Sequence, residues 1–275
     1  MTTPSALRRD ITAYINGAER EDQPENIHTD KVAREMGYKG ALVYGTVVYA
    51  WSVPLIREAL GDEWMRSGWA DIHIRRPVYS GDDLTITLEP GEGDAYQLAA
   101  TDPEGKARIT AALGNGTGEW VADHRRSRRL TVEPLPNPRP RITLETAPIG
   151  QDLPRLQAEA HDRLGKLFQE ATEHGYGPLT VGGREVQSPA TVTGRMTWYV
   201  HAVWDYAGPA IHSRSQVQYL DFVGVDEPVS VAGHFVDAYE MNGHHYSITD
   251  GTVFGADGRE VALTRHSSIF KVAPR

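Results

Sequence analysis

Cysteine is absent from the 275 residues of this chain. That removes disulfide staples and thiolate nucleophiles together, and it fits a protein working in a reducing compartment. Long apolar runs are missing as well: no stretch approaches the roughly 20 residues that span a bilayer, and Met1 to Asp10 has no apolar signal-peptide core. Basic charge is scarce. With 28 Lys and Arg against 37 Asp and Glu, the formal charge of −9 leaves no bulk basic face to neutralise phosphates, so a general nucleic-acid partner is excluded. No His, Asp and Glu spacing matches a zinc site, and no glycine-rich phosphate loop occurs, Gly182-Gly183 reading simply as a turn; neither metal nor cofactor is expected. These absences predict a cytoplasmic protein with no membrane partner.

What is present is an apolar content of 40%, enough to build one large core or two small ones. Val47, Val48, Trp51, Leu55, Ala59 and Leu60 recur at helical spacing, and Val53 and Ile56 widen the stripe. The pattern predicts a helix from Thr46 to about Ala59 wrapped by other structure, kinked or restarted at Pro54. Strands are predicted at Trp69 to Ile74, Leu84 to Leu88, Ala95 to Ala100 and Ala107 to Leu113, with turns at Ser80 to Asp83 and Asp102 to Gly105. Ile11 to Ile15 reads as a first strand or a helix end.

The second half repeats this order. Ala190 to Gly194 parallels Ala41 to Gly45, Met196 to Val200 parallels Val47 to Trp51, and Gln216 to Phe222 parallels Asp71 to Pro77. Val229 to Val231 then parallels Leu84 to Ile86, and a hairpin from His245 through Asp257-Gly258 to Leu263 closes the unit. Between the halves, Arg125, Arg126, Arg128 and Arg129 precede Pro134, Pro136, Pro138 and Pro140. That composition suits a stiff, exposed crossing linker; the alternative is a phosphate-binding patch. Leu153 to Phe168 reads as an amphipathic helix capped by Asp152.

The candidate site lies at Asn26-Ile27-His28-Thr29-Asp30, followed by Ala33 and by Gly40-Ala41-Leu42-Val43-Tyr44-Gly45. A histidine in a polar loop faces a glycine that opens an apolar helix, where unpaired N–H groups gather. These residues resemble the MaoC-like family of R-specific enoyl-CoA hydratases and dehydratases, whose signature is Asp-x-Asn-x-x-His followed further on by His-Gly. His28 falls on the signature histidine and Gly45 on the glycine. Tyr44 stands where the family often has a second histidine, Glu25 at the asparagine, and Gln23 at the catalytic aspartate.

The resemblance implies an α+β double hot dog: two antiparallel sheets, each wrapped around a central helix. Residues 1–122 would form the unit carrying the His motif, 123–140 the linker, and 141–275 a unit lacking the motif. It implies a lyase adding or removing water at an α,β-unsaturated or 3-hydroxy acyl thioester carried on coenzyme A or an acyl carrier protein, in a chain that can also pair as a homodimer. His28 would move the proton, and the N–H of Gly45 or Thr46 would meet the thioester oxygen. Glu25, then Asp22, are the candidate carboxylates, while Asp30 reads as a helix cap. Tyr44 is a candidate donor to a carbonyl or a ring packing at the pocket mouth. Gln23, Asn26 and Tyr49 are further substrate contacts. Arg195, Tyr199, His201 and Asp205 follow Gly194 and can face the same cavity, whereas His244-His245 after Asn242-Gly243 reads as an exposed hairpin tip. The alternatives are a diverged enzyme catalysing cyclisation or isomerisation, a non-catalytic binding subunit, and thioester hydrolysis.

Overall fold

The computed structural model describes residues 6–15, 27–206, 208 and 210–273. Asp22, Gln23, Glu25 and Asn26 lie outside the described residues. The N-terminal half runs β1 (Leu7–Thr12), α1 (Asp30–Glu35), α2 (Gly45–Ala50), α3 (Val53–Leu60), α4 (Trp64–Ser67), β2 (Trp69–Ile74), β3 (Asp83–Pro90), β4 (Tyr96–Thr101) and β5 (Ala107–Gly114). The C-terminal half runs β6 (Asp152–Ala158), α5 (Arg163–Glu173), a small hairpin of β7 (Thr180–Val181) and β8 (Arg184–Glu185), α6 (Pro189–Val203), β9 (Ile211–Tyr219), β10 (Val229–Met241), β11 (His244–Phe254) and β12 (Glu260–Lys271).

The strands lie in the order β1-β3-β4-β5-β2-β9-β12-β11-β10-β6. Read outward from the middle, each half gives the same succession, so the chain has made one unit twice and joined the copies at their edges. The joint is the antiparallel pair β2 and β9, in register from Trp69 opposite Gln218 to His73 opposite Arg214. Gln218 reinforces it: its amide donates to the carbonyls of Gly68 and Gly116 at 3.1 Å, and its oxygen accepts from Gly118 N at 2.9 Å. The two expected sheets therefore share one continuous hydrogen-bond ladder.

The helices fill the hollow of the sheet. α2 packs on α5 and α6, and Trp51, Trp64, Phe168, Tyr199 and Tyr219 are all buried between the layers. The predicted helix breaks after Ala50 and restarts at Val53 with Pro54 in the first turn of α3, because proline can donate no bond to the turn before it. Its counterpart α6 begins five residues earlier than expected. Ser188 Oγ accepts from Thr191 N at 3.0 Å and Pro189 supplies the first helical residue, so Gly194 lies inside the helix rather than at its start. A Cβ there would lie 2.2 Å from the Phe168 ring; the glycine serves helix packing.

Leu153 to Phe168 is not one helix. It is β6 followed by α5, and the cap is Asp162, whose Oδ1 accepts from Gly165 N at 2.6 Å. The register against β10 slips between Ala232 and His234, leaving an extra residue on β6. That bulge turns Leu153 and Leu156 to the same buried side and so imitates helical spacing. Asp152, the expected cap, binds His234 Nδ1 at 2.7 Å. In the crossing segment Arg126 pairs with Glu260 at 2.8 Å, Arg128 with Asp152 at 3.1 Å, and Arg129 with Glu133, while the Arg125 amide donates to Asp250 Oδ2 at 2.7 Å. These bonds pin the segment along the C-terminal sheet.

Candidate active site

A cavity of about 1170 Å³ opens between the two halves, with His28, Tyr44, Gly45 and Thr46 on one side and Thr197, His201, Trp204, His212 and His266 on the other. Gly45 is where the chain must come close. A Cβ there would fall 2.3 Å from Ile74 Cδ1, so glycine lets the first turn of α2 sit on the end of β2 without displacing that side chain.

The loop carrying His28 is stitched to the segment before α2. Leu42 N donates to Ile27 O at 3.1 Å, and His28 Nδ1 donates to the Leu42 carbonyl at 2.7 Å. A carbonyl can only accept, so Nδ1 holds the hydrogen and Nε2 is the basic nitrogen. The imidazole stacks on Tyr44, with ring centroids 3.3 Å apart and planes 19° from parallel. Burial pushes His28 down to about 3; the Leu42 bond opposes this, and the nearby charges of Arg163 and His201 add to it. At neutral pH this ring is therefore neutral.

Tyr44 is the residue before α2, and its hydroxyl accepts from Arg163 Nη2 at 3.1 Å. Arg163 has only donors, so the phenolic hydrogen is not used in this contact. Thr46 is buried beside it. Asp30 is structural: it opens α1 after the cap residue Thr29, and its carboxylate accepts from Ala41 N at 2.8 Å and from Arg34 at 2.7 Å. Tyr49 does not reach the cavity. Its hydroxyl lies 3.2 Å from that of Tyr219, which in turn lies 2.9 Å from Thr193 Oγ1, so the expected substrate contact is a buried tie between the two central helices.

Of the four residues following Gly194, two line the cavity. His201 donates from Nδ1 to Thr197 O at 2.8 Å, and Asp205 is held by Arg141 at 2.8 Å. Arg195 instead binds Asp162 at 2.6 Å and Gln187 at 3.2 Å, and the Tyr199 hydroxyl donates to Pro154 O at 2.6 Å; both are packing groups. His244 does stand at a hairpin tip, with Asn242 and Gly243 at positive φ, yet it lines the cavity and its Nδ1 accepts from Ala273 N at 3.0 Å.

His212 and His266 are the wall residues that the sequence pattern did not single out. Their rings lie 4.3 Å apart, and both bond Ser215 Oγ, at 2.8 Å from His212 Nε2 and 3.3 Å from His266 Nδ1. Burial lowers His212 to about 4 and His266 well below its ordinary value. Polar residues at alternate inward positions of β12 (Thr264, His266, Ser268) were the available signal. Among the described residues no group of three or more His, Cys, Asp or Glu is placed to hold a metal ion, and no helix is long and apolar enough to cross a membrane.

No family model and no curated protein matches the chain by sequence. Solved structures do match by shape. A Mycobacterium tuberculosis protein described as having a double hotdog fold aligns with a TM-score of 0.64 at 12% identity, over 98% of this chain and 96% of its own. A MaoC domain protein dehydratase from Chloroflexus aurantiacus aligns at 0.56 and 8% identity, over 98% and 95%. A MaoC-like dehydratase aligns at 0.52 and 14% identity, over 86% and 87%. With the mirrored strand order and the two buried helices, these likenesses make the chain a double hot dog protein.

Proposed function

We propose that the cavity is the active site of a hydro-lyase of MaoC type, acting on an α,β-unsaturated or 3-hydroxy acyl thioester or a similarly conjugated substrate. The observation that carries this reading is His28: a neutral imidazole in the cavity wall, its tautomer set by the Leu42 carbonyl so that Nε2 is the base. In the dehydration direction Nε2 takes the proton from the carbon beside the thioester carbonyl. The resulting enolate oxygen is met by the Tyr44 hydroxyl and by the N–H groups of Gly45 and Thr46, which have no acceptor within their own helix. The imidazolium then hands the same proton to the departing hydroxide, which leaves as water. Hydration runs the steps in reverse. One group carries one proton throughout, in both directions.

Likeness to proteins described as MaoC dehydratases supports the reading. In it, residues 1–122 and 141–275 are two units, one chain supplies both walls of the pocket, and the substrate carrier is coenzyme A or an acyl carrier protein. The test is to incubate purified protein with crotonyl and longer enoyl thioesters and weigh the products. A gain of one water supports the proposal. Solvent-deuterium incorporation without any gain of water favours isomerisation or cyclisation, and release of free thiol favours thioester hydrolysis.

A further inference from the structure

Charge in the cavity wall runs against the charge of the chain. The protein carries a formal −9, yet the described residues lining the cavity include four arginines, Arg75, Arg76, Arg139 and Arg163, and a single carboxylate, Asp205. Arg141 already neutralises Asp205 at 2.8 Å. None of the lining arginines meets a carboxylate among the described residues. Arg75 donates to Thr110 Oγ1 at 3.3 Å, Arg76 to Ala107 O at 2.9 Å, Arg139 to His201 O at 2.6 Å, and Arg163 to the Tyr44 hydroxyl at 3.1 Å. Elsewhere arginines do find acids, as Arg34, Arg57, Arg126, Arg214 and Arg265 show. All four lining arginines are exposed, so a ligand can reach them. A cleft of one charge sign between apolar walls concentrates ligands of the other sign, and here that sign is negative.

Arg163 is the one of the four that stands at the reacting centre. It is the first residue of α5 and reaches from the C-terminal half to Tyr44, the residue before α2. Its guanidinium carbon lies 5.9 Å from the centre of the Tyr44 ring, on which His28 stacks. The cation is therefore one phenol away from the base. Among the described residues it spends a single N–H on Tyr44, and the rest of its donor fork is idle. Steadying a hydroxyl needs only a neutral donor; an exposed fork with a full charge and no acid beside it matches a carboxylate. A phosphate of a pantetheine carrier does not fit this place. The pantetheine arm holds its phosphates many bonds from the thioester, whereas Arg163 is bonded to the hydroxyl assigned to the thioester oxygen.

We infer that Arg163 binds a carboxylate on the acyl group itself, so that the substrate is the monothioester of a short dicarboxylic acid. This rests on the lyase reading of the cavity and names the class of acyl group it takes. With the thioester oxygen at Tyr44 and the carboxylate on the adjoining guanidinium, both ends of the acyl group lie close together, which limits it to roughly four to six carbons. Arg75, Arg76 and Arg139 add to the positive field that draws the anion in.

The test is binding, measured by calorimetry with non-reactive amide analogues of acyl pantetheine. Succinyl, glutaryl and adipyl chains are each compared with the same chain ending in a carboxamide. Pantetheine carries no phosphate, so the acyl carboxylate is the only anion supplied. At least one carboxylated chain should bind about 10–100-fold tighter than its carboxamide. In Arg163→Met that ratio should fall to near one while the carboxamide binds as before. Arg163→Lys keeps the charge without the fork, should lower the ratio severalfold, and carries the test if the methionine variant does not fold. Equal or weaker binding of the carboxylated chains by the wild type overturns the inference, as does a ratio unchanged in both variants or failure of every probe to bind. A butyryl amide on 4′-phosphopantetheine separates the sources of charge: affinity gained from that phosphate and lost in Arg163→Met would assign the arginine to the carrier and overturn the inference. Carboxylate-selective binding without hydration of the matching unsaturated thioester would sink the lyase reading alone. Hydration of plain enoyl thioesters with no carboxylate preference would sink the carboxylate site alone.

Discussion

Acidification should unfold this protein through its cavity histidines. His28 and His212 have an ordinary value of 6.5 that burial lowers to about 3 and about 4. Unfolded, each ring takes up a proton as the pH drops below 6.5; folded, each refuses it until far lower. The stability they contribute is complete above 6.5 and is lost as the pH falls toward their folded values. At pH 5 each ring has lost about 1.5 × 1.36, or roughly 2 kcal/mol, so the pair removes about 4 kcal/mol. For a chain of this size that lowers the melting temperature by roughly ten degrees. His266 acts in the same direction. The assay is thermal melting at about pH 7.5 and pH 5 for the wild type and for His212→Gln, which keeps a polar group near Ser215 but cannot titrate. Comparing the two cancels carboxylate contributions common to both, and the variant should lose about 2 kcal/mol less on acidification. An identical pH dependence in both proteins, or His28 or His212 titrating by NMR near 6.5, would refute the reasoning.

Catalysis should show the same neutrality: kcat/KM should stay level from pH 7 down to about 5, and an acid limb centred near 6.5 would mean that the working base is not a buried imidazole. Tyr44→Phe keeps the ring stacked on His28 but removes the hydroxyl; kcat should fall on the order of 10–100-fold with KM little changed, as steady-state kinetics would show. Gly45→Ala drives a methyl into Ile74 and Gly194→Ala drives one into Phe168. Each should cost roughly 1–3 kcal/mol in denaturant unfolding, and Ile74→Val or Phe168→Leu in the same chain should recover part of the loss.

The sequence showed the double construction because each unit buries its helix on all sides and alternates its strands, and both habits leave a periodic mark. It misled where a strand carries an extra residue. The bulge in β6 sets Leu153 and Leu156 three apart on one buried face, a spacing that belongs to helices, and so the pattern there predicts a helix. The bulge at Ser213 hid the link between His212 and Ser215 in the same way. The parallel of Gly194 with Gly45 points to a helix start at Gly194, because glycine at a close approach and glycine at a cap look alike in one sequence; the Ser188-Pro189 pair is the better start signal. His28, Tyr44 and Gly45 could be read from local order, since each lies within one loop and the helix turn after it. The place of His266 in the cavity wall could not, because it depends on a partner on another strand and a cavity made by both halves.

The most direct test of the account compares hydration of an enoyl thioester by the wild type and by His28→Ala, with melting curves showing that both proteins are folded. Removal of the imidazole should lower kcat/KM by about 10²–10⁴ while leaving the cavity able to bind the non-reactive acyl probe. Turnover that survives the substitution unchanged would contradict the claim that this ring moves the proton.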